Sequence, residues 1–170
     1  MTSRDLTENV EQLQIKRSLE LLRGRAIAVV TRLAHMAATY SDLVMTGRSH
    51  NVAAQATTLG KRFASAADEM LVAIDRVDHL IDTFPLRGIK GPMGTSQDML
   101  DLLDGNEAKL RDMERGIAEH LGFSTVLDSV GQIYPRSLDY DVLTALVQLG
   151  AAPASPVSYT HLRAHETKAN

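Results

Sequence analysis

His50 is the side chain in this 170-residue sequence best suited to moving a proton near neutral pH. An imidazole can donate or accept a proton in that range. His50 lies ahead of the second predicted long helix, in a polar segment that also holds Gln55, Thr57 and Thr58. Because a single histidine near a helix start is often structural or simply exposed, the residues alone leave both interpretations open.

Other polar side chains have types suited to binding an anion or an amide. Thr2 and Ser3 are hydroxyl donors suited to a carboxylate, although either could instead cap a helix. Gln132 could donate and accept with a planar amide or base, or be a satisfied loop side chain. Lys61 and Arg62 could hold phosphate or carboxylate, but paired basic residues on a helix more often form a solvated face.

Thr2 and Ser3 stand at the start of a long predicted helix. Apolar residues recur at steps of three and four from Asp5 to about Tyr40, beginning with Leu6, Val10 and Leu13, and this is the helical period. We expect one long helix, weakened near Gly24 and capped by Ser3 or Thr7. Residues 41–58 are predicted to be a polar connection.

A second long helix has the clearest pattern in the sequence. Its apolar stripe advances by three or four residues through Leu59, Phe63, Ala66, Met70, Ile74, Val77, Ile81 and Phe84. Pro85 ends it, because proline lacks the N–H that a helix needs.

Three shorter helices are predicted in the remainder. Gly88, Gly91 and Gly94 indicate a loop, after which Thr95 and Asp98 resemble a capping box for a helix through Leu103.

The last two helices have their own boundary signals. Asn106 can cap a helix that ends at about Leu121 and exits through Gly122. Ser137 can cap a last helix that ends at Gly150. Every predicted element is helical, so we expect an all-α fold, part of an elongated helical bundle.

Composition excludes several function classes. Aromatic residues make up 4% of the chain, there is no Trp, and the formal net charge is -3, which provides no basic surface for nucleic acid. The absence of Cys excludes a disulfide scaffold, a thiolate nucleophile and a Cys-based metal site. With no apolar run near the roughly 20 residues that span a bilayer, and no signal-like start, we expect a cytoplasmic protein without membrane contact.

The helical pattern ends near residue 154. We therefore expect residues 1–154 to form part of a helical domain. Residues 155–170 are expected to be an artefactual, disordered tail that does not belong to the fold.

Four segments together resemble the adenylosuccinate lyase family of the fumarase/aspartase superfamily. They carry a Thr-Ser pair followed by Asp and Asn, a Gly-x-x-His before an Ala-Gln-x-Thr-Thr-x-Gly-Lys-Arg run, an Arg-Gly-x-Lys-Gly-x-x-Gly-Thr loop and a Gly-Gln-x-Tyr-x-Arg segment. In this sequence they are Thr2–Asn9, Gly47–Arg62, Arg87–Thr95 and Gly131–Arg136. The sequence departs from the family at Ala53, where proline is frequent.

The resemblance implies a carbon–nitrogen lyase of purine biosynthesis. Such an enzyme cleaves adenylosuccinate to AMP and fumarate, and the succinylated aminoimidazole carboxamide ribotide in the same way, without a metal or organic cofactor. It implies that His50 is the general acid, that Thr2 and Ser3 bind the carboxylate region, and that Gln132 binds substrate. It also implies a homotetramer in which three subunits contribute to each active site.

One expected part of that machinery is missing. The family's catalytic base resembles a serine on a Ser-Ser-x-Met-Pro-x-Lys-x-Asn-Pro loop, and no such string occurs in the sequence. We therefore expect a fragment, truncated at both ends and inactive alone. The alternatives are a non-enzymatic helical-bundle interaction module and a neighbouring lyase such as argininosuccinate lyase.

Overall fold

The computed structural model describes residues 2–50 and 52–154, which are mostly helical. The elements in chain order are α1 (Ser3–Thr39), β1 (Val44–Ser49), β2 (Val52–Thr58), α2 (Leu59–Thr83), α3 (Gln97–Leu102), α4 (Glu107–Leu121) and α5 (Ser137–Ala151). No helix in this described part is long and apolar enough to cross a membrane. The predicted tail, residues 155–170, lies outside the described residues.

Two compact units divide the chain. The first comprises the described residues of Met1–Leu21 and Asp78–Val142, and the second those of Leu22–Val77 and Leu143–Asn170. Helices α1, α2 and α5 each contribute residues to both units.

Helix α1 confirms the first predicted helix and continues through Gly24 without a break. Its predicted caps were wrong, because the helix already includes Ser3 and the residue that precedes it is Thr2. The backbone N–H of Thr2 donates to Asp5 Oδ2 (2.8 Å), and the N–H of Asp5 donates to the Thr2 carbonyl (3.0 Å). The carboxylate of Asp5, in the first turn, thus accepts from the backbone N–H of the residue that precedes the helix.

Residues 41–58 connect α1 to α2 as predicted, but most of this connection is a β-hairpin that was not predicted. Strands β1 and β2 pair antiparallel from Val44 opposite Thr58 to Ser49 opposite Val52, with an irregularity between Gly47 and Arg48. The strands carry Val and Thr, which favour extended backbone. Because their side chains are largely exposed, the strands lack the alternation of apolar and polar residues that indicates a half-buried strand in a sequence.

The core of the first unit forms where the end of α2, the following loop and α4 meet. Its buried members are Phe84, Leu86, Ala118 and Phe123. The backbone of Leu86 pairs with the segment after α4, accepting from the Leu127 N–H (2.8 Å) and donating to the Thr125 carbonyl (2.9 Å). These contacts anchor the start of the glycine-rich loop.

The boundaries of α4 are confirmed, and that of α3 is corrected. The Asn106 side chain accepts from the Lys109 N–H, and Gly122 ends α4 in the left-handed conformation. Helix α3 is preceded by Ser96, itself left-handed with φ 56° and without a side-chain cap. The predicted cap at Thr95 was therefore wrong, because the helix begins one residue too late for it.

The second unit has a core formed by Ala26, Met70, Ile74 and Ala152. Helix α2 ends at Thr83, close to the predicted stop before Pro85. Arg76 on α2 donates to the Thr144 hydroxyl (2.6 Å) and to Gln148 Oε1 (3.0 Å) on α5.

Candidate active site

His50 lies at the turn of the hairpin, in the two-residue connection between β1 and β2. It is exposed and has a positive φ of 50°. A non-glycine residue rarely adopts this conformation, although tight two-residue hairpin turns require it. The sequence placed His50 near the start of the second long helix, whereas the whole of β2 separates it from α2. The imidazole is therefore presented at a turn, within the second unit.

The polar residues that follow His50 have separate positions. Gln55 lies exposed on β2, and the Thr58 hydroxyl accepts from the Lys61 N–H (3.1 Å) at the start of α2. The Lys61 ammonium donates to Ser65 Oγ (2.8 Å) one turn along the same exposed face. These contacts favour the solvated-face interpretation of Lys61.

The predicted substrate-binding residues all lie in the first unit. Thr2 is half-buried before α1, Ser3 is exposed in the first turn, and Gln132 is exposed between α4 and α5. A buried polar network connects the backbone segment of Thr2 and Ser3 with that of Gln132.

The carboxylate of Asp5 is the first member of this network. Its Oδ2 accepts from the Thr2 N–H (2.8 Å), while its Oδ1 accepts from Arg87 Nη1 (2.8 Å), the Gly91 N–H (2.9 Å) and the Lys90 N–H (3.2 Å). Burial alone raises the pKa of Asp5. The hydrogen bonds from Thr2, Arg87 and Gly91 and the charge of Arg87 outweigh it, so the pKa is lowered from 3.8.

Arg87 is the second member, and its side chain is fully buried. Its Nη1 bonds Asp5, and its Nη2 donates to the carbonyls of Gly91 (2.8 Å) and Gly131 (3.0 Å). Gly131 directly precedes Gln132. A continuous chain of hydrogen bonds thus runs from the Thr2 backbone through Asp5 and Arg87 to the peptide beside Gln132.

Two amide side chains of α1 fix the loop that carries Arg87. Asn9 exchanges two hydrogen bonds with the backbone of Gly88, accepting from its N–H and donating to its carbonyl, both at 2.9 Å. Gln12 accepts from the Arg87 N–H (2.7 Å) and donates to the Pro85 carbonyl (2.9 Å). Both amides satisfy loop backbone groups that are otherwise buried without a secondary-structure partner.

Glu8 fixes the segment on the far side of Gln132. It accepts from the Tyr134 N–H (3.2 Å) and pairs with Arg136 (3.4 Å), whose guanidinium lies 4.2 Å from the Tyr134 ring centroid. The Tyr134 hydroxyl donates to Asp139 (2.7 Å). Burial and the Asp139 carboxylate raise the pKa of Tyr134, so the phenol stays protonated and continues to donate.

This polar face of α1 was not predicted from the sequence. The predicted apolar stripe on α1 was wrong at the first turns, because Leu6 is 66% exposed and Val10 is 40% exposed. The buried face carries Asp5, Glu8, Asn9, Gln12 and Lys16 instead. Their spacing of three, one, three and four residues follows one helix face, so a polar stripe at helical period was the available signal.

The cations of the glycine-rich loop are already paired. Arg87 faces Asp5, and the Lys90 ammonium pairs with Glu114 of α4 at 2.9 Å. Among the predicted substrate-binding residues, Ser3 and Gln132 are exposed and Thr2 is half-buried, so each retains some accessible surface. Within residues 2–50 and 52–154, no group of three or more His, Asp or Glu side chains is arranged to hold a metal ion.

The known proteins to which this chain is similar are lyases. A family model described as Lyase matches residues 1–99. Adenylosuccinate lyase from Saccharomyces cerevisiae is 35% identical over 150 residues, covering 88% of this chain and 31% of that protein. The adenylosuccinate lyase from Schizosaccharomyces pombe is 32% identical over 150 residues with the same two shares.

A solved structure is also similar. The fumarate lyase from Mesorhizobium sp. BNC1 matches with a TM-score of 0.73 at 20% identity, covering 95% of this chain and 36% of that chain. This likeness confirms the predicted helical fold class, to which the structure adds the hairpin. The chain spans about a third of the length of the relatives that it matches.

Proposed function

The chain belongs to the lyase family, and from this premise we propose that it is a segment of an enzyme that cleaves adenylosuccinate to AMP and fumarate. The same enzyme is proposed to cleave the succinylated aminoimidazole carboxamide ribotide. The observation that carries the proposal is the 35% identity to the Saccharomyces cerevisiae adenylosuccinate lyase across 88% of this chain.

Breaking a carbon–nitrogen bond beta to a carboxylate requires three kinds of group. A base removes a C–H proton, donors stabilise the carboxylate as it gains enolate character, and an acid protonates the departing nitrogen. We assign the acid to His50. Its exposed position at a hairpin turn supports this role, since a bound substrate can approach the imidazole there.

The donors are assigned to Thr2 and Ser3 for the succinyl carboxylates and to Gln132 for another part of the substrate. The hydrogen-bond network that ties their segments together supports a shared task. The base is proposed to be a serine on a loop that this sequence does not contain. The chain alone is therefore proposed to be inactive.

The complete enzyme is proposed to be a cytoplasmic homotetramer. His50 belongs to the second unit and the donors to the first. In a site assembled from several subunits, the acid of one chain would act with the donors of another chain. The partner of the site is a small molecule rather than nucleic acid or a membrane.

A hybrid enzyme tests the substrate class. The matched 150-residue segment replaces its counterpart in the Saccharomyces cerevisiae adenylosuccinate lyase, and fumarate release is followed with adenylosuccinate and with argininosuccinate. We expect the hybrid to use adenylosuccinate, and the 170-residue chain alone to release no fumarate.

Two results would reject the proposal. Preference for argininosuccinate would identify the neighbouring lyase. A folded tetrameric hybrid without turnover on either substrate would favour the non-enzymatic helical module.

A further inference from the structure

We propose that the ion pair between Arg87 and Asp5 is a positioning device that holds Gln132 and the Thr2–Ser3 pair at a fixed separation for substrate binding. This inference rests on the proposed function, and it concerns residues that the proposed mechanism does not itself use. Arg87 and Asp5 are positioning residues, because neither is exposed to a ligand.

The guanidinium of Arg87 bonds two separate segments of the chain. Its two terminal nitrogens point to different parts of the chain, with Nη1 bonding Asp5 at the start of α1 and Nη2 bonding the carbonyl of Gly131. A planar fork with fixed donors can serve both partners at once in one geometry. The distance between the two segments is thereby set by one rigid group.

The backbone that precedes Gly131 is packed closely against Gly94. Gly94 has φ 78°, and a Cβ built on it would lie 1.6 Å from the Val130 carbonyl oxygen. The loop backbone therefore lies directly against the peptide that precedes Gly131. Contact from Gly94 and hydrogen bonding from Arg87 together fix the backbone just before Gln132.

Burying the charges of both Arg87 and Asp5 costs desolvation, and apolar residues of similar volume often stabilise a fold as well or better. Stability alone is thus a weak reason for a fully buried pair. A fixed geometry is a better one, because Asp5 accepts four hydrogen bonds at once in this arrangement.

The test uses Arg87→Lys, which keeps the buried positive charge but replaces the fork with a single ammonium. In the hybrid enzyme we expect kcat/KM for adenylosuccinate to fall about 10- to 100-fold, the effect of losing one or two hydrogen bonds that involve a charged group. The matched control is Arg111→Lys, which alters an exposed pair with Glu107 and should leave kcat/KM unchanged.

A double-mutant cycle separates positioning from general structural damage. If Arg87 acts through Gln132, Arg87→Lys should have little further effect in a Gln132→Ala background, because the side chain that it positions is already gone. Equal fold losses in both backgrounds would overturn the proposal.

A second readout keeps this inference distinguishable from the proposed function. In the 170-residue chain, Arg87→Lys should shift the backbone amide resonances of Gly131 and Gln132 and increase their motion in ¹⁵N relaxation, whereas Arg111→Lys should not. An inactive unmodified hybrid combined with these changes would reject the proposed function and retain the device. Unchanged amides at Gly131 and Gln132 would reject the device whatever the activity.

Discussion

Replacing Asp5 with Asn should destabilise the first unit strongly, because it removes one charge of a buried pair and leaves the other. The Asp5 side chain is 1% exposed and that of Arg87 is 0% exposed. Asn keeps the shape and one acceptor oxygen but leaves the guanidinium without a counter-charge. It also presents an NH₂ group in place of one of the two oxygens that accept from Thr2 and Arg87.

The expected loss is about 3–5 kcal/mol in the free energy of unfolding, the range for breaking one side of a buried ion pair. This is a large part of the roughly 5–15 kcal/mol that stabilises a typical domain. Urea unfolding of the 170-residue chain, followed by far-UV circular dichroism at neutral pH, measures it. The matched control is Asp112→Asn, whose ion pair with Arg115 is exposed and should contribute no more than about 1 kcal/mol.

Removing both charges adds a second check. Asp5→Leu combined with Arg87→Met should be less destabilised than the sum of the two single variants, since no unpaired charge remains. The reasoning would be refuted if Asp5→Asn cost no more than Asp112→Asn, or if the two apolar substitutions were simply additive.

Three further predictions concern stability. Gly94→Ala should cost at least about 2 kcal/mol in the free energy of unfolding, because the added Cβ would meet the Val130 carbonyl. The control is Gly105→Ala, at a residue with φ 75° and no atom near the added Cβ, which should cost about 1 kcal/mol. Equal losses in urea unfolding would contradict the close approach of Gly94 to Val130. Asn106→Ala should cost about 1 kcal/mol by the same assay, and no change would mean that the cap is not stabilising. The lowered pKa of Asp5 contributes stability that is present above the ordinary pKa of 3.8 and is lost as the pH falls through the lower pKa of the folded state. Urea midpoints measured from pH 5 to pH 2 should therefore fall more steeply for the unmodified chain than for Asp5→Asn. Equal slopes would contradict this.

Helix positions could be predicted where burial and apolar character coincide. Helix α2 buries Ala66, Met70, Ile74 and Val77, all on the predicted stripe. The boundary signal at Asn106 was also confirmed, whereas the caps predicted at Ser3 or Thr7 and at Thr95 were wrong. In the confirmed cases the physical cause lies within a few residues of its effect.

Other features depend on contacts far along the chain. The buried face of α1 is polar because its partners are loop backbone groups about 80 residues away, as between Asn9 and Gly88. No rule that equates burial with apolar character could find it. The hairpin was missed because its strands are exposed on both faces, and this hid the position of His50 at a turn.

The proposed role of His50 as the acid is tested by fumarate release from the hybrid enzyme carrying His50→Gln. We expect turnover of adenylosuccinate to fall about 100- to 10,000-fold, the contribution of a positioned general acid. His79→Gln, which alters another exposed histidine, should leave turnover unchanged. Turnover by His50→Gln equal to that of the unmodified hybrid would contradict the account.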